Sequence, residues 1–194
     1  IRAAGVRVHS YCRTVAFASD TAAGRQQAID DNRRALEAAA TLGARELIAV
    51  VGGLAPASRD IDDSRAQILR GLEGLLPAIE ATGVAVALEP LHPFYAADRS
   101  LLNTLAQAHA WCETLDPEHR AFGVAVDAYH VWWDPMLAAS MAAAGPRIRV
   151  FHVCDWLRHT QEPLLDRGMM GAGVIDLRRL RAMAEAAGFD GLVE

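Results

Sequence analysis

Ionisable side chains stand at the ends of four apolar segments in this sequence. Glu89 ends VAVALE, Asp127 ends FGVAVD, His152 ends RVFH and Glu194 ends GLVE. Three carboxylates and one imidazole form a ligand set that suits Mn²⁺, Mg²⁺, Co²⁺ or Zn²⁺. If the segments are neighbouring parallel strands, their carboxyl ends share one face, where catalytic residues gather in such folds. The pattern therefore predicts a site for one divalent metal ion.

A simpler explanation exists for each of these residues taken singly. An acid at the end of a strand often caps the following helix, and this would account for Asp127 alone. The same explanation suits Glu89 less well, because PLHPF rather than a helical pattern follows it. The occurrence of such residues at the ends of consecutive strands favours the metal site over coincidence.

The elements that must position these residues are indicated by periodic apolar patterns. Helical spacing predicts five helices over residues 20–43, 58–83, 98–116, 134–145 and 176–188. Nearly continuous apolar runs predict six strands over residues 5–11, 45–53, 84–89, 122–127, 147–153 and 191–194. We expect Pro77 to kink the second helix, and Asp134 and Asp176 to cap the last two.

The alternation of helices and strands predicts an α/β fold with a parallel sheet. The choice lies between an open doubly wound sheet and a (β/α)₈ TIM barrel. No change in composition suggests a linker, so we expect one domain over residues 1–194. A barrel usually needs about 250 residues, and this chain begins and ends at a strand. We therefore expect an incomplete TIM barrel that lacks the first two strands and the end of the last unit.

The composition excludes several classes of protein. The chain has 194 residues, of which 52% are hydrophobic, and a net charge of −5, which argues for a sizeable core and against a nucleic-acid-binding surface. No apolar run is long enough to cross a membrane, and we expect a cytoplasmic protein without a signal peptide. Cys12, Cys112 and Cys154 form no CxxC pair, which favours reduced thiols. All 19 basic residues are Arg, so chemistry that needs a Lys Schiff base is excluded.

The segments LEPLHPFYAADRS, DAYHVWWDP, FHVCDW and DRGMMGAGVIDL together resemble the sugar phosphate isomerase/epimerase superfamily of xylose isomerase-like TIM barrels. The resemblance extends over nearly the whole chain. It implies that Glu89, Asp127, His152 and Glu194 hold the metal, because ketose 3-epimerases use Glu, Asp, His and Glu from the last four strands. It also implies a sugar or sugar phosphate as substrate. Exposed edges of an incomplete barrel would favour a homo-oligomer.

The same resemblance implies substrate-binding roles for two residues. His130 follows Asp127 by three residues, and Arg158 follows His152 by six, as in ketose 3-epimerases. A core histidine and a surface arginine are the open alternatives. The sequence also departs from the family pattern, because Tyr95 stands where ketose 3-epimerases carry a further Glu. The Lys that assists true xylose isomerases is absent as well.

Other residues near the strand ends could line a substrate pocket. His92 in EPLHP is either a pocket residue or a turn residue. Trp132 could stack on a sugar ring or pack against the next helix. Arg167 in RGMMGAG could bind a substrate beneath that loop. Asp155 could orient a metal ligand.

The resemblance and the residue types favour proton transfer at a carbon next to a carbonyl. A metal ion would stabilise the enediolate, while Glu89 and Glu194 would remove and return the proton. Return to the other face gives epimerisation, and return to the neighbouring carbon gives isomerisation. The alternatives are dehydration of an inosose-like cyclitol, a non-catalytic sugar-binding module, and DNA repair of the endonuclease IV type. The net charge of −5 and the absence of Lys argue against the last of these.

Overall fold

A computed structural model describes residues 2–194 and shows one parallel sheet of five strands. The strands are β1 (Ser10–Cys12), β2 (Glu46–Ala49), β3 (Ala85–Leu88), β4 (Phe122–Asp127) and β5 (Ile148–His152). They lie side by side in chain order, and every neighbouring pair is parallel. This arrangement is that of a partial (β/α)₈ barrel and confirms the predicted fold class.

Helices connect the strands and cover one face of the sheet. They are α1 (Ala22–Leu42), α2 (Ile61–Glu73), α3 (Leu76–Thr82), α4 (Leu105–Leu115), α5 (Ala128–Val131), α6 (Leu137–Ala144) and α7 (Leu177–Ala186). Their ends are set by side chains that accept backbone hydrogen bonds. The Thr21 hydroxyl accepts from the Gly24 N–H, and Asp176 accepts from the Arg179 N–H. Gly43 ends α1 with a φ of 83°, a left-handed conformation that suits glycine.

The strands are buried on both faces, which explains their continuous apolar composition. One face packs against the helices in the main core, to which β2 contributes Leu47 and Ala49 and β4 contributes Val124 and Val126. The opposite face contributes a smaller separate cluster of Ile48, Ala87, Ala125 and Val150. These four alternate with the helix-facing residues along adjacent strands, as the interior positions of a barrel must.

Several predicted boundaries were wrong. The helix predicted over 58–83 is two helices, separated after Glu73, and Pro77 lies in the first turn of α3 rather than at a kink. The helix predicted from residue 98 begins at Leu105. Asp134 does not cap a helix beginning at Pro135, because α6 begins at Leu137 and Asp134 accepts from the Met136 N–H within the preceding turn.

The two ends of the predicted sheet also differ from expectation. The first strand covers only Ser10–Cys12. The predicted sixth strand is a single parallel bridge between Val193 and Phe151. The structure adds a short antiparallel hairpin of β6 (Asp155–Trp156) and β7 (Arg167–Gly168), which was not predicted. Within residues 2–194, no helix is long and apolar enough to cross a membrane.

Candidate metal centre

The predicted metal ligands converge at the carboxyl edge of the sheet. Glu89 directly follows β3, Asp127 is the last residue of β4, and His152 is the last residue of β5. Asp127 and His152 are paired across the two strands, so their side chains start from adjacent positions. One ligand atom from each of the three residues lies within 4.8 Å of the others.

The imidazole of His152 lies between two carboxylates. Its Nδ1 is 2.9 Å from Oε1 of Glu89, and its Nε2 is 3.9 Å from Oε2 of Glu194. Glu194 is held in place by the Ser10 hydroxyl, which lies 3.0 and 2.8 Å from its two carboxylate oxygens. Its backbone N–H donates to the Phe151 carbonyl. Three of the four predicted ligands therefore surround one point, and the fourth, Glu194, approaches them from the outer side of His152.

The electrostatics of this cluster favour a bound cation. Burial and the nearby charge of Glu89 raise the pKa of Asp127 to about 6. Burial alone would lower the pKa of His152, but its hydrogen bond to Glu89 and the surrounding carboxylates raise it. Burial and the same carboxylates raise the pKa of the Cys12 thiol to about 11. The site therefore holds an excess of buried negative charge, which a divalent ion would offset, so the donor set fits the predicted metal.

Asp127 also caps a helix. Its Oδ1 accepts a hydrogen bond of 2.8 Å from the Tyr129 N–H at the start of α5. Its Oδ2 faces the cavity, 3.7 Å from Nε2 of His130 and 3.6 Å from Nη1 of Arg167. The capping role and the proposed ligand role therefore use different oxygens of one carboxylate.

A cavity of about 250 Å³ opens beside these ligands. Its polar lining beyond the ligands consists of Tyr95, Arg99, His130 and Arg167, together with the Cys12 thiol. A larger groove of about 790 Å³ lies elsewhere, between β5 and α7, and is lined mainly by apolar side chains. None of the predicted metal ligands lines that groove, so the smaller cavity is the candidate substrate site.

Two of the predicted substrate-binding residues line this cavity. His130 is 3% exposed, and its Nδ1 is 3.2 Å from the His92 N–H. Burial and the charge of Arg167 lower the pKa of His130 to about 3, so the ring is neutral. Arg167 extends from β7 with Nη2 3.3 Å from Nε2 of His130, and its guanidinium carbon lies 4.4 Å from the centroid of the Tyr129 ring.

The other three predicted residues lie outside the described lining of the cavity. Nδ1 of His92 accepts a hydrogen bond from the Phe94 N–H, which is the turn role that the sequence analysis left open. The His92 ring also stacks on the Trp156 ring, with 4.9 Å between the ring centroids. Trp132 packs against the same Trp156 ring. Arg158 is exposed to solvent. Substrate binding by these residues stays a prediction.

Tyr95 and Arg99 were not predicted as pocket residues. They follow Glu89 in a segment whose only regular element is a short 3₁₀ helix at Pro93–Tyr95. Long-range backbone bonds fix its path, including Leu54 N–H to Ala97 O and Leu101 N–H to Gly52 O. The only signal in the sequence was the departure at Tyr95 from the family pattern. Nothing local in the sequence predicts the return of this segment to the cavity.

Asp155 organises the loop above the site instead of orienting a described metal ligand. Its Oδ1 accepts from the N–H groups of Trp156 and Ile175, and its Oδ2 accepts from those of Gly171 and Gly173. These bonds fasten the glycine-containing loop to β6, which pairs with β7, the strand that carries Arg167. Asp155 thereby fixes the position of one side of the cavity.

Comparison with known proteins gives matches to one family. A family model described as xylose isomerase-like TIM barrel matches residues 1–194. The crystal structure of protein SMc04130 from Sinorhizobium meliloti 1021 is 52% identical and has a TM-score of 0.95, and the match covers 100% of this chain and 70% of that one. No curated protein matches significantly.

More distant structures share the fold. The apo form of 3-keto-D-glucoside 4-epimerase from E. coli is 22% identical with a TM-score of 0.76, over 100% of this chain and 72% of that one. The IOLI protein with a bound zinc atom is 23% identical with a TM-score of 0.75, over 96% of this chain and 66% of that one. At this level of identity, both likenesses establish the fold alone.

Proposed function

Because this chain belongs to the xylose isomerase-like TIM barrel family, we propose that it is a divalent-metal-dependent isomerase or epimerase of a sugar or sugar phosphate. The observation that carries the proposal is the convergence of ligand atoms from Glu89, Asp127 and His152 within 4.8 Å at the carboxyl edge of the sheet. This is the edge where enzymes of barrel architecture place their chemistry.

The metal would be held by Glu89, Asp127 and His152, with Glu194 as the fourth ligand. Oxygen and nitrogen ligands of this kind suit Mn²⁺, Mg²⁺, Co²⁺ or Zn²⁺. When bound, such an ion polarises a carbonyl and stabilises negative charge that develops on a neighbouring oxygen. A zinc atom is bound in the structure of the IOLI protein, which supports the proposed metal dependence.

Carboxylates of the protein would transfer the proton. Glu89 and Glu194 approach the His152 ring from its two different nitrogens, at 2.9 and 3.9 Å. Carboxylates that reach one site from different directions can remove a proton from a substrate carbon and return one elsewhere on it. His130 stays neutral because of its burial and would donate a hydrogen bond to a substrate oxygen.

The proposal is tested by hydrogen exchange with solvent. We would incubate the Mn²⁺-loaded protein in D₂O with ketoses and ketose phosphates and follow deuterium at carbon by NMR. Metal-dependent incorporation is expected, together with its loss in Glu194→Gln. Glu80→Gln serves as the matched control, because Glu80 is an exposed carboxylate on α3 remote from the cavity.

The outcomes separate the competing functions. Incorporation with retention of the substrate's composition supports an isomerase or epimerase, and the exchanging carbon identifies the reaction. Loss of water from a cyclitol substrate would instead indicate a dehydratase. Metal binding without exchange in any substrate would contradict the proposal and favour a sugar-binding protein.

A further inference from the structure

Hydrogen-bond donors gather on one side of the cavity, next to the metal ligands. They belong to Tyr95, His130, Arg167 and Arg99, all of which line the cavity. Tyr95 is only 5% exposed, and its hydroxyl has no hydrogen-bond partner among the residues that the structure describes. A buried hydroxyl without a partner is costly, unless a ligand supplies one. The Tyr95 hydroxyl therefore points to a ligand in the cavity.

The orientation of His130 adds a second donor. The backbone N–H of His92 can only donate, so at 3.2 Å it requires Nδ1 of His130 to accept. In a neutral imidazole the other nitrogen then carries the proton. Nε2–H faces Nη2 of Arg167 at 3.3 Å, which is also a donor, while Oδ2 of Asp127 is farther away at 3.7 Å. Two donors that face each other at this distance need an acceptor in the cavity that both can reach.

The two arginines give this side of the cavity a positive charge. Arg167 is fixed by the face of Tyr129 at 4.4 Å and by Asp127 at 3.6 Å, and a guanidinium retains further N–H groups beyond these contacts. Arg99 lies at the exposed rim, with its guanidinium carbon 5.2 Å from the centroid of the Tyr95 ring. Arginine offers donors and no acceptor, and it favours carboxylate and phosphate oxygens.

We propose that Tyr95, His130 and Arg167, with Arg99 at the rim, form a subsite for an anionic group of the substrate, either a carboxylate or a phosphate. A neutral hydroxyl would have to donate as well as accept, whereas an anionic oxygen only accepts and matches a wall of donors. The substrate is then a hydroxy-ketone that carries such a group. This inference rests on the proposed function only for the hydroxy-ketone part of the ligand.

The test compares ligands that differ in one group. We would measure the binding of D-fructose, D-fructuronate and D-fructose 6-phosphate to the Mn²⁺-loaded protein by calorimetry at low ionic strength. At least one of the two anions should bind about tenfold or more tightly than D-fructose, because charge-assisted hydrogen bonds are worth more than about 1.4 kcal/mol. The tighter of the two anions identifies the carboxylate or the phosphate as the group recognised.

Variants assign the preference to the subsite. Tyr95→Phe and Arg167→Gln should each reduce the preference for the anion over D-fructose several-fold. Arg99→Gln should do the same at an exposed position where folding is not at risk. Tyr11→Phe and Arg70→Gln are the controls, since neither residue lines the cavity, and both should keep the preference.

Two results would overturn the subsite. One is equal binding of D-fructose and both anions, and the other is an unchanged preference in Tyr95→Phe, Arg167→Gln and Arg99→Gln. These readouts are independent of turnover. A preference for the anions without deuterium incorporation would contradict the isomerase and support the subsite. Deuterium incorporation into a neutral ketose, without any preference for the anions, would support the isomerase and contradict the subsite.

Discussion

The carboxylate of Asp127 divides its two oxygens between the backbone and the cavity. Oδ1 accepts from the Tyr129 N–H, and Oδ2 faces the candidate metal site. Asparagine can keep the first contact through its side-chain oxygen but presents an uncharged amide to the cavity. Asp127→Asn should therefore keep the fold and lower the affinity for Mn²⁺ by at least about tenfold, since even residues behind the ligands contribute that much.

This prediction can be checked by Mn²⁺ titration calorimetry, with circular dichroism to confirm the fold. Asp134→Asn is a suitable control, because Asp134 also accepts a backbone N–H, that of Met136, in a turn on the same connection. Equal Mn²⁺ affinity in the Asp127→Asn and unsubstituted proteins would exclude Asp127 as a ligand.

At the residue level, sequence reasoning located the side chains that directly end a strand. Glu89, Asp127 and His152 were predictable because parallel strands in chain order must bring their carboxyl ends together. Tyr95 and Arg99 were not predictable, because they lie outside the strands and α-helices, in the segment that contains the short 3₁₀ helix Pro93–Tyr95. The position of that segment depends on backbone bonds to residues 52–54, about forty residues earlier, which leave no local signal.

At the level of elements, the loop that follows β7 depends on one buried carboxylate, that of Asp155 on β6. Asp155 accepts four backbone N–H bonds, two of them from Gly171 and Gly173. Asparagine would present an NH₂ group to one pair of these donors and leave them unpaired. Asp155→Asn should lower the free energy of unfolding by roughly 2–4 kcal/mol at pH 7, since an unpaired buried donor costs about 1–3 kcal/mol.

The same carboxylate predicts a dependence on pH. Burial alone would raise the pKa of Asp155, but the four backbone N–H groups outweigh it and lower the pKa below its ordinary value. A lowered pKa in the folded state stabilises the fold above the unfolded pKa of about 3.9, and this stabilisation is lost as the pH falls through the folded value. The difference between the unsubstituted and Asp155→Asn proteins should thus be constant near neutrality and shrink below about pH 4.

Urea unfolding at several pH values measures this difference. Asp190→Asn replaces an exposed aspartate near the end of α7 and should change the stability little at any pH. A gap between the unsubstituted and Asp155→Asn proteins that stayed constant down to pH 3 would show that the charge of Asp155 is not what holds the loop.

The boundaries of the helices were harder to predict from the sequence than the helices themselves, and the start of α4 shows the physical reason. Leu101 and Leu102 are fully buried and match a helical pattern, yet they pack from an irregular segment, and Thr104 caps α4 three residues later than Leu101. The burial of apolar residues alone does not distinguish a helix from a loop whose backbone is held by hydrogen bonds from side chains. Here Asn103 and Gln107 supply those bonds to the backbone.

At the level of the whole molecule, the fold class was predictable and the closure of the site was not. The alternation of helices and strands predicts a parallel sheet, and the structure shows that its strands lie in chain order. The contact between Ser10 and Glu194, which are 184 residues apart, can be seen only in three dimensions. It joins β1 to the segment that pairs with β5 and so brings Glu194 towards the three clustered residues Glu89, Asp127 and His152.

Such a site should couple metal binding to global stability. The proposed ligands come from the ends of β3, β4 and β5, and Glu194 is tied to β1 through Ser10. An ion that binds only the folded state stabilises it by about 2.7 kcal/mol when present at a hundred times its dissociation constant. Relief of repulsion among the buried carboxylates acts in the same direction.

The midpoint of thermal unfolding should therefore be higher in MnCl₂ than in EDTA at equal ionic strength. Asp127→Asn should show a much smaller gain. Equal midpoints in the unsubstituted protein would separate the carboxylate cluster from metal binding, and an undiminished gain in Asp127→Asn would place the ion elsewhere.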